Sequence, residues 1–380
     1  MIKSIEINNF KSIKKKFFPL RNLNLLLGLN GMGKSSFIQH LLAFRQSPNI
    51  LTDGKLHLKG EYVKLGNTKD ALYQFTTKGQ LTTKICFDEE HLDFTFDYIS
   101  DADYFTSTAK IDSDCKSSKI KEEPLFTNSF QYLNANRTEP KSINAKDYSH
   151  VVEQRNVGAH GEFTANYLET YGDEQIEIDG LTHPDSMAKD SVTGNTIVNK
   201  SLVNQTNLWM GEISPAVKIR TRSVSSDYVI LEYAFEQPNV GTTNYFKPEN
   251  VGFGITYGLP VVVAILKSKP GDLLIIENPE AHIHPRGQAE IGKLMALAAM
   301  NGVQIIVETH SDHILNGIRV AVKEKLISQD KVQLFYFEKV VEQDEQFSKI
   351  TNIEIDQKGE LSEYPKNMLD EWNEQLMRLL

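Results

Sequence analysis

A chain of 380 residues, 40% hydrophobic and 24% charged, has enough apolar material for a sizeable core and two lobes, which excludes a disordered chain. A net charge of -9 argues against a generally basic nucleic-acid binder and leaves room only for a local basic face. Cys86 and Cys115 are too few for a disulfide framework or a cysteine-based zinc site, and no apolar run reaches membrane-spanning length, so a cytoplasmic protein with no membrane partner is expected.

The opening "MIKSIEINNF" alternates like a strand and lacks the apolar stretch of a signal peptide. A basic turn, "KSIKKKFFPL", leads to a second apolar strand, "LNLLLG", then a glycine-rich loop and a helix, "KSSFIQHLLAF". Between 55 and 98, "KLHLKG", "LYQFTT", "LTTKICF" and "LDFTFDYI" read as short strands of an antiparallel sheet, and 106–123 as a polar, mobile loop. After the strand-like "SFQYLNANR", residues 147–213 carry helical spacing broken by a polar stretch at 180–197, which suggests a helical lobe inserted in the core. Strands at 216–222 and 227–235 precede an alternation of helix (253–268, 286–300, 310–325) and strand (272–277, 303–308, 332–338), the order of a parallel sheet with helical crossovers. Strands "QLFYFEKV" and "SKITNIEID" and a short terminal helix close the chain.

"GLNGMGKS" at 28–35 satisfies G-x-x-x-x-G-K-[ST], placed between a strand and a helix as that motif demands. Gly28, Gly31 and Gly33 let the backbone N–H groups turn inward, with Leu29, Asn30 and Met32 between them. Lys34 reaches the β and γ phosphates, the Ser35 hydroxyl ligates magnesium, and Ser36 continues a helix N-terminus that favours anions.

"GDLLIIENPE" is an apolar strand ending at Glu277, where a carboxylate is expected to hold magnesium. In "VQIIVETHSDHILNGI" a second buried strand ends at Glu308, Thr309 and His310; His310 is either near the γ phosphate or a structural helix cap. His282 and His284 with Glu280 do not form H-E-x-x-H, so no zinc site is expected. A GTPase is excluded because "NTKD" at 67–70 is not N-K-x-D, and nothing resembles the arginine lid of a small-molecule kinase.

Taken in order, "IEINNFKSI", "GLNGMGKSSF", "YLNANRTEP", "NVGFGITYGLP", "LLIIENPEAHIHP" and "ETHSDHILNGIR" resemble the ABC-type ATPases of the SMC, RecF and OLD-like group, frequent in phage-defence loci. The resemblance implies an α/β, ABC-type P-loop NTPase head with an antiparallel β lobe and an inserted helical lobe, binding ATP and Mg2+. Residues 1–145 are then the N-terminal nucleotide-binding half with the β lobe, 146–214 the inserted helical lobe, 215–340 the C-terminal half, and 341–380 the C-terminal strands and helix. It implies that Glu277 is the Walker B acid, His310 the switch histidine, "HIHP" the start of a loop crossing to a second subunit, and Gly252, Phe253 and Gly254 the signature closing over a partner's nucleotide. Gln131 is the candidate magnesium and water-contacting glutamine, and Tyr132, Asn136 and Arg137 are expected near the nucleotide or the lobe junction.

The sequence departs from the family twice. The signature lacks its serine, leaving backbone N–H groups and a helix N-terminus to meet phosphate. Asn278 stands where a glutamate normally polarises water, so slow hydrolysis is expected, with Glu280 or His310 sharing that role; a nucleotide-gated scaffold or switch binding a partner protein is the alternative. Without heptads no coiled-coil arms are expected, nor is a nuclease domain of the OLD kind expected after His310. The resemblance implies a homodimer or higher homo-oligomer controlling a separately encoded effector, a nuclease or toxin, while the basic run Lys11, Lys14, Lys15, Lys16 and Arg21 is either a DNA contact or a solvated loop.

Overall fold

A computed structural model describes residues 1–77, 79–107, 116–189, 196–366, 368 and 371–379. The chain divides into two compact units, one formed by 1–130, 329–356 and 361–380, the other by 131–328 and 357–360.

The first unit contains an antiparallel sheet in which Ile13–Pro19, Ser4–Phe10, Gln80–Cys86, His91–Asp97, Tyr104–Ser107 and Lys55–His57 follow one another in space. Alternation sets its inner face: Ile5, Ile7, Leu81, Ile85, Phe94 and Phe96 are buried. Leu23–Leu27 is instead buried at every position, as a strand covered on both faces must be, and pairs in parallel with Val332–Glu342, which turns back antiparallel into Glu345–Ile353. The helix Lys34–Arg45 packs Phe37, Leu41 and Phe44 into the unit's aromatic core, where Phe18 meets Phe37 at 4.4 Å and Phe335 at 5.3 Å between ring centroids.

The second unit holds the parallel pair Leu273–Glu277 and Gln304–Glu308, in register from Leu273 opposite Gln304 to Glu277 opposite Glu308. Helices Pro285–Met300 and Asp312–Lys323 pack so closely that a Cβ on Gly317 would lie 2.2 Å from the Ala289 carbonyl oxygen, which makes glycine a requirement there. An antiparallel sheet of Val217–Ser223, Tyr228–Gln237 and Ile143–Ala145 packs with helices Thr164–Tyr171 and Leu202–Ile213. Trp209 is buried there and donates its indole N–H to the Leu181 carbonyl at 2.9 Å.

Four local expectations need correction. "KSIKKKFFPL" contains a strand, Ile13–Pro19, because its inward Ile13 and Phe18 are fully buried while Lys14 and Lys15 point outward. "LYQFTT" is no strand: Leu72 makes one isolated bridge to Phe10, and Tyr73 is buried by the turns that follow. The polar 180–197 stretch contains a small antiparallel pair, Met187–Lys189 with Thr196–Val198. The 106–123 loop includes a helix, Lys116–Lys121; residues 108–115 and 190–195 lie outside the described residues. No helix among the described residues is long and apolar enough to cross a membrane.

Candidate nucleotide site

In the first unit the glycine-rich loop is shaped by close approach. Gly28 sits at φ 130, and a Cβ there would lie 2.4 Å from the Phe337 carbonyl oxygen, so backbone meets backbone with no room for a side chain. Gly33, at φ 105, caps the helix that Lys34 opens, and a Cβ there would strike the hydroxyls of Ser348 and Ser12 at 2.2 and 2.4 Å. Those hydroxyls brace the loop. Ser348 Oγ lies 2.6 Å from the Met32 carbonyl and 2.8 Å from Ser12 Oγ, and Ser12 Oγ lies 3.3 Å from Ser36 Oγ. A hydroxyl has one hydrogen, so Ser348 donates to the carbonyl while accepting from Ser12.

Lys34 is 3% exposed and donates from Nζ to the carbonyls of Gly28 and Leu29 at 2.8 and 2.9 Å. Its ammonium therefore stands inside the ring of the loop. No side chain caps the helix N-terminus and no acidic residue lies in its first turn. The surroundings fit a phosphate: a cation, inward backbone and the positive end of a helix dipole. Leu29, Asn30, Gly31 and Ser35 are exposed at the same loop.

The expected basic face is largely consumed within its own unit. Lys14 pairs with Glu345, Lys16 donates to the Ile350 carbonyl, Arg21 pairs with Glu354, and Lys11 donates to Gln39. Lys15 stands 3.9 Å from Glu6 and is the exposed remainder of the run.

In the second unit, the end of Leu273–Glu277 is gripped by "YLNANR". Tyr132 donates its hydroxyl to Glu277 Oε1 at 2.8 Å. Arg137, 2% exposed, donates from Nη2 to the Glu277 carbonyl at 2.6 Å and from Nη1 to the Asn278 carbonyl at 2.9 Å. Burial pushes the Glu277 carboxyl above its ordinary range, against the opposing pull of the Tyr132 hydroxyl, the Ala135 N–H and the Arg137 charge. Burial likewise raises Tyr132, helped by the Glu277 charge, and lowers Arg137 to about 10 against the neighbouring Glu280 and Glu277. Asn278 follows at φ 43, in the left-handed region, its N–H bonded to the Glu308 carbonyl at 2.9 Å.

Glu280 reaches the end of the neighbouring strand. One oxygen accepts from Thr309 Oγ1 at 2.8 Å and the other from the His310 backbone N–H at 2.7 Å. Ser311, not His310, caps the helix that follows, accepting from the N–H groups of His313 and Ile314 at 3.1 Å, and the His310 side chain is exposed. Gln131, the candidate magnesium contact, is held by backbone groups. It is 2% exposed, its amide nitrogen donates to the Tyr132 and Gly158 carbonyls, and its oxygen accepts from the Val157 N–H at 3.1 Å, so it joins two backbone segments.

Gly252 and Phe253 are exposed at the start of helix Phe253–Leu266, which carries no side-chain cap. Gly254 packs against the loop after the acid: a Cβ there would lie 2.5 Å from the His282 carbonyl oxygen. The His282 ring in turn lies 4.7 Å from Tyr257 and 5.6 Å from Phe253, beside a cavity of about 670 Å³ that Gly252, Gly254 and His284 help to line. Among the described residues no group of three or more His, Cys, Asp or Glu is placed to hold a metal by itself. Magnesium needs no such cage when phosphate oxygens and water complete its shell.

Tyr132 and Arg137, expected near the nucleotide or the lobe junction, bond to the end of the strand Leu273–Glu277 and the residue after it. Ser12 and Ser348, which brace the loop, stand in no local motif that signals them, and Thr309 is visible in the sequence only as a strand end.

The loop between strand and helix is that of a P-loop ATPase, and the fold is that of ABC-type ATPase heads such as those of SMC proteins. The chain belongs to the AAA ATPase domain family, whose model matches residues 1–201, more than half of it. Residues 200–316 match a family described as "AAA domain, putative AbiEii toxin, Type IV TA system", and 327–379 one described as "Protein of unknown function (DUF3696)". No curated protein matches in sequence. Among solved structures the chain is similar to an SMC head bound to the C-terminal winged-helix domain of ScpA, with TM-score 0.56 and 13% identity over 93% of this chain and 97% of that one. It is also similar to the Pyrococcus furiosus SMC head domain with an extended coiled coil bound to the C-terminal domain of ScpA, with TM-score 0.53 and 12% identity over 100% and 99%. At such identity the likeness shows the fold.

Proposed function

We propose that the protein binds Mg-ATP and hydrolyses it slowly, as a homodimer in which Gly252, Phe253 and Gly254 of one subunit close over the nucleotide of the other. The observation that carries this reading is the phosphate loop itself, with the Lys34 ammonium inside it and a helix N-terminus that has no side-chain cap and no acidic residue in its first turn. Lys34 exchanges its two carbonyl partners for phosphate oxygens, Ser35 and Glu277 serve as metal ligands, and His310 contacts the terminal phosphate. Bound magnesium would neutralise charge on the phosphates. Asn278 orients water through its amide and accepts no proton. Glu280, with both oxygens engaged, holds His310 and its turn in place.

A switch that holds ATP with little turnover is the second reading, favoured by the absence of a carboxylate at Asn278. In either case we propose a cytoplasmic protein that acts through a separately encoded effector, a nuclease or toxin, in DNA maintenance or anti-phage defence. The toxin–antitoxin description of one matching family and the ScpA partner of the similar SMC heads support a protein partner. DNA contact has weaker support, since the basic run is mostly paired. Single-turnover hydrolysis by the purified protein, with Lys34→Ala as control, is the deciding experiment. A rate above the control supports the ATPase, whereas tight ATP binding with no such difference supports the switch.

A further inference from the structure

Arg137 is a costly residue to place where it is. The residue is 2% exposed, its two bonded nitrogens donate to backbone carbonyls, and its Nε is buried without a partner. A buried cation is retained at such expense only where its geometry matters, and the planar fork suits two successive carbonyls as a lysine does not. Those carbonyls, of Glu277 and Asn278, belong to the residue that ends the acid strand and the left-handed residue after it.

Asn278 is thereby fixed at both backbone groups. Its carbonyl accepts from Arg137 and its N–H donates to Glu308. What remains is the side-chain oxygen Oδ1, which is buried and has no partner. A buried acceptor without a donor costs about 1–3 kcal/mol, so a turn held this firmly around one points to a donor that arrives with the reaction.

We propose that Arg137 is a positioning residue: it locks the Glu277–Asn278 turn so that Asn278 Oδ1 receives one hydrogen bond from a water molecule. This rests on the ATPase reading. It makes the asparagine a water-orienting group whose usefulness depends on a residue 141 positions earlier in the chain. Glu277 shares the same clamp through its carbonyl, so its carboxylate direction depends on Arg137 as well.

The test is a double-mutant cycle of Arg137→Lys with Asn278→Glu, read by single-turnover hydrolysis and by ATP affinity with and without Mg2+. Arg137→Lys is expected to bind ATP within twofold of native without Mg2+, to lose the Mg2+-dependent gain in affinity, and to slow hydrolysis at least tenfold. Asn278→Glu is expected to raise the rate in the native background and to have no such effect when combined with Arg137→Lys. Asn278→Gly, which permits the left-handed backbone and removes the side chain with its amide, is expected to slow hydrolysis without changing the melting temperature by more than a few degrees; it stands in if Arg137→Lys does not fold. Native rates in Arg137→Lys or Asn278→Gly, or an equal gain from Asn278→Glu in both backgrounds, overturn the assignment alone. Failure of the native protein to bind ATP overturns the proposed function and this assignment with it.

Discussion

The Tyr132 hydroxyl donates to Glu277 Oε1 at 2.8 Å, which ties the residue that ends the acid strand to a strand residue 145 positions away. Burial works against the Glu277 charge, and this bond is one of the contacts that favours it. In Tyr132→Phe the carboxylate keeps its desolvation penalty and loses the donor that orients it. ATP binding without Mg2+ should be unchanged, while the Mg2+ concentration for half-maximal binding should rise roughly fivefold, the equivalent of about 1 kcal/mol for one hydrogen bond. Titration of Mg2+ at fixed nucleotide measures it, and an unchanged midpoint would mean that the hydroxyl does not serve Glu277.

The loop has its own point of least tolerance. Gly33→Ala adds a methyl that would meet Ser348 Oγ at 2.2 Å and Ser12 Oγ at 2.4 Å, at a backbone φ of 105 that an alanine adopts only with strain. Both serines brace the phosphate loop, so the loss should appear in binding as well as in stability. A destabilisation of about 2–4 kcal/mol is expected by denaturant unfolding, together with loss of measurable ATP binding. Ser348→Ala, which removes the brace and adds no clash, should lose less on both measures.

Much of this was legible in the sequence because it is local. The strand, loop and helix around 23–45 and the two apolar strands ending at Glu277 and Glu308 announce themselves through runs and periodicity in a single window. The second strand of the chain was hidden by its lysines, which read as a turn. Lys14 and Lys16 are neutralised or bonded by Glu345 and Ile350, more than three hundred residues later, and no window contains both partners. The contacts of Arg137 and Glu280 were hidden in the same way: the residues can be named from the sequence, but not the distant carbonyl or N–H groups they hold. Chemistry carried by side chains in a motif can be read from sequence, whereas support given by side chains to distant backbone cannot.

His40 is fully buried on the phosphate-loop helix, with Nε2 2.9 Å from Thr83 Oγ1 and Nδ1 without a partner. Burial lowers its pKa from 6.5 to about 3, so the folded protein keeps the ring neutral where the unfolded chain charges it. The unfolded state then binds more protons between those values, and stability falls as pH falls below about 6.5, by about 1.4 kcal/mol per unit from this residue. Denaturant unfolding of the native protein and His40→Gln at pH 7.5 and 5.0 should show a smaller acid loss in the variant. Equal losses would show that His40 does not govern acid sensitivity.

Glu280 separates two accounts of the missing carboxylate at Asn278. If it were the base that takes a proton from water, Glu280→Gln would abolish hydrolysis and remove the acid limb of the pH–rate profile. The geometry points elsewhere, because both carboxylate oxygens already accept, one from Thr309 and one from the His310 N–H. Glu280→Gln keeps an oxygen for one of these donors and presents an NH2 to the other, which should loosen the turn that carries His310. Hydrolysis should therefore fall about ten- to thirtyfold with ATP affinity nearly unchanged and the shape of the pH profile retained, a loss of about 1.4–2 kcal/mol of transition-state stabilisation. Thr309→Val, which removes only the hydroxyl donor, should produce a smaller fall of the same kind. A pH profile that loses its acid limb in Glu280→Gln, with Thr309→Val like the native protein, would make Glu280 the base after all.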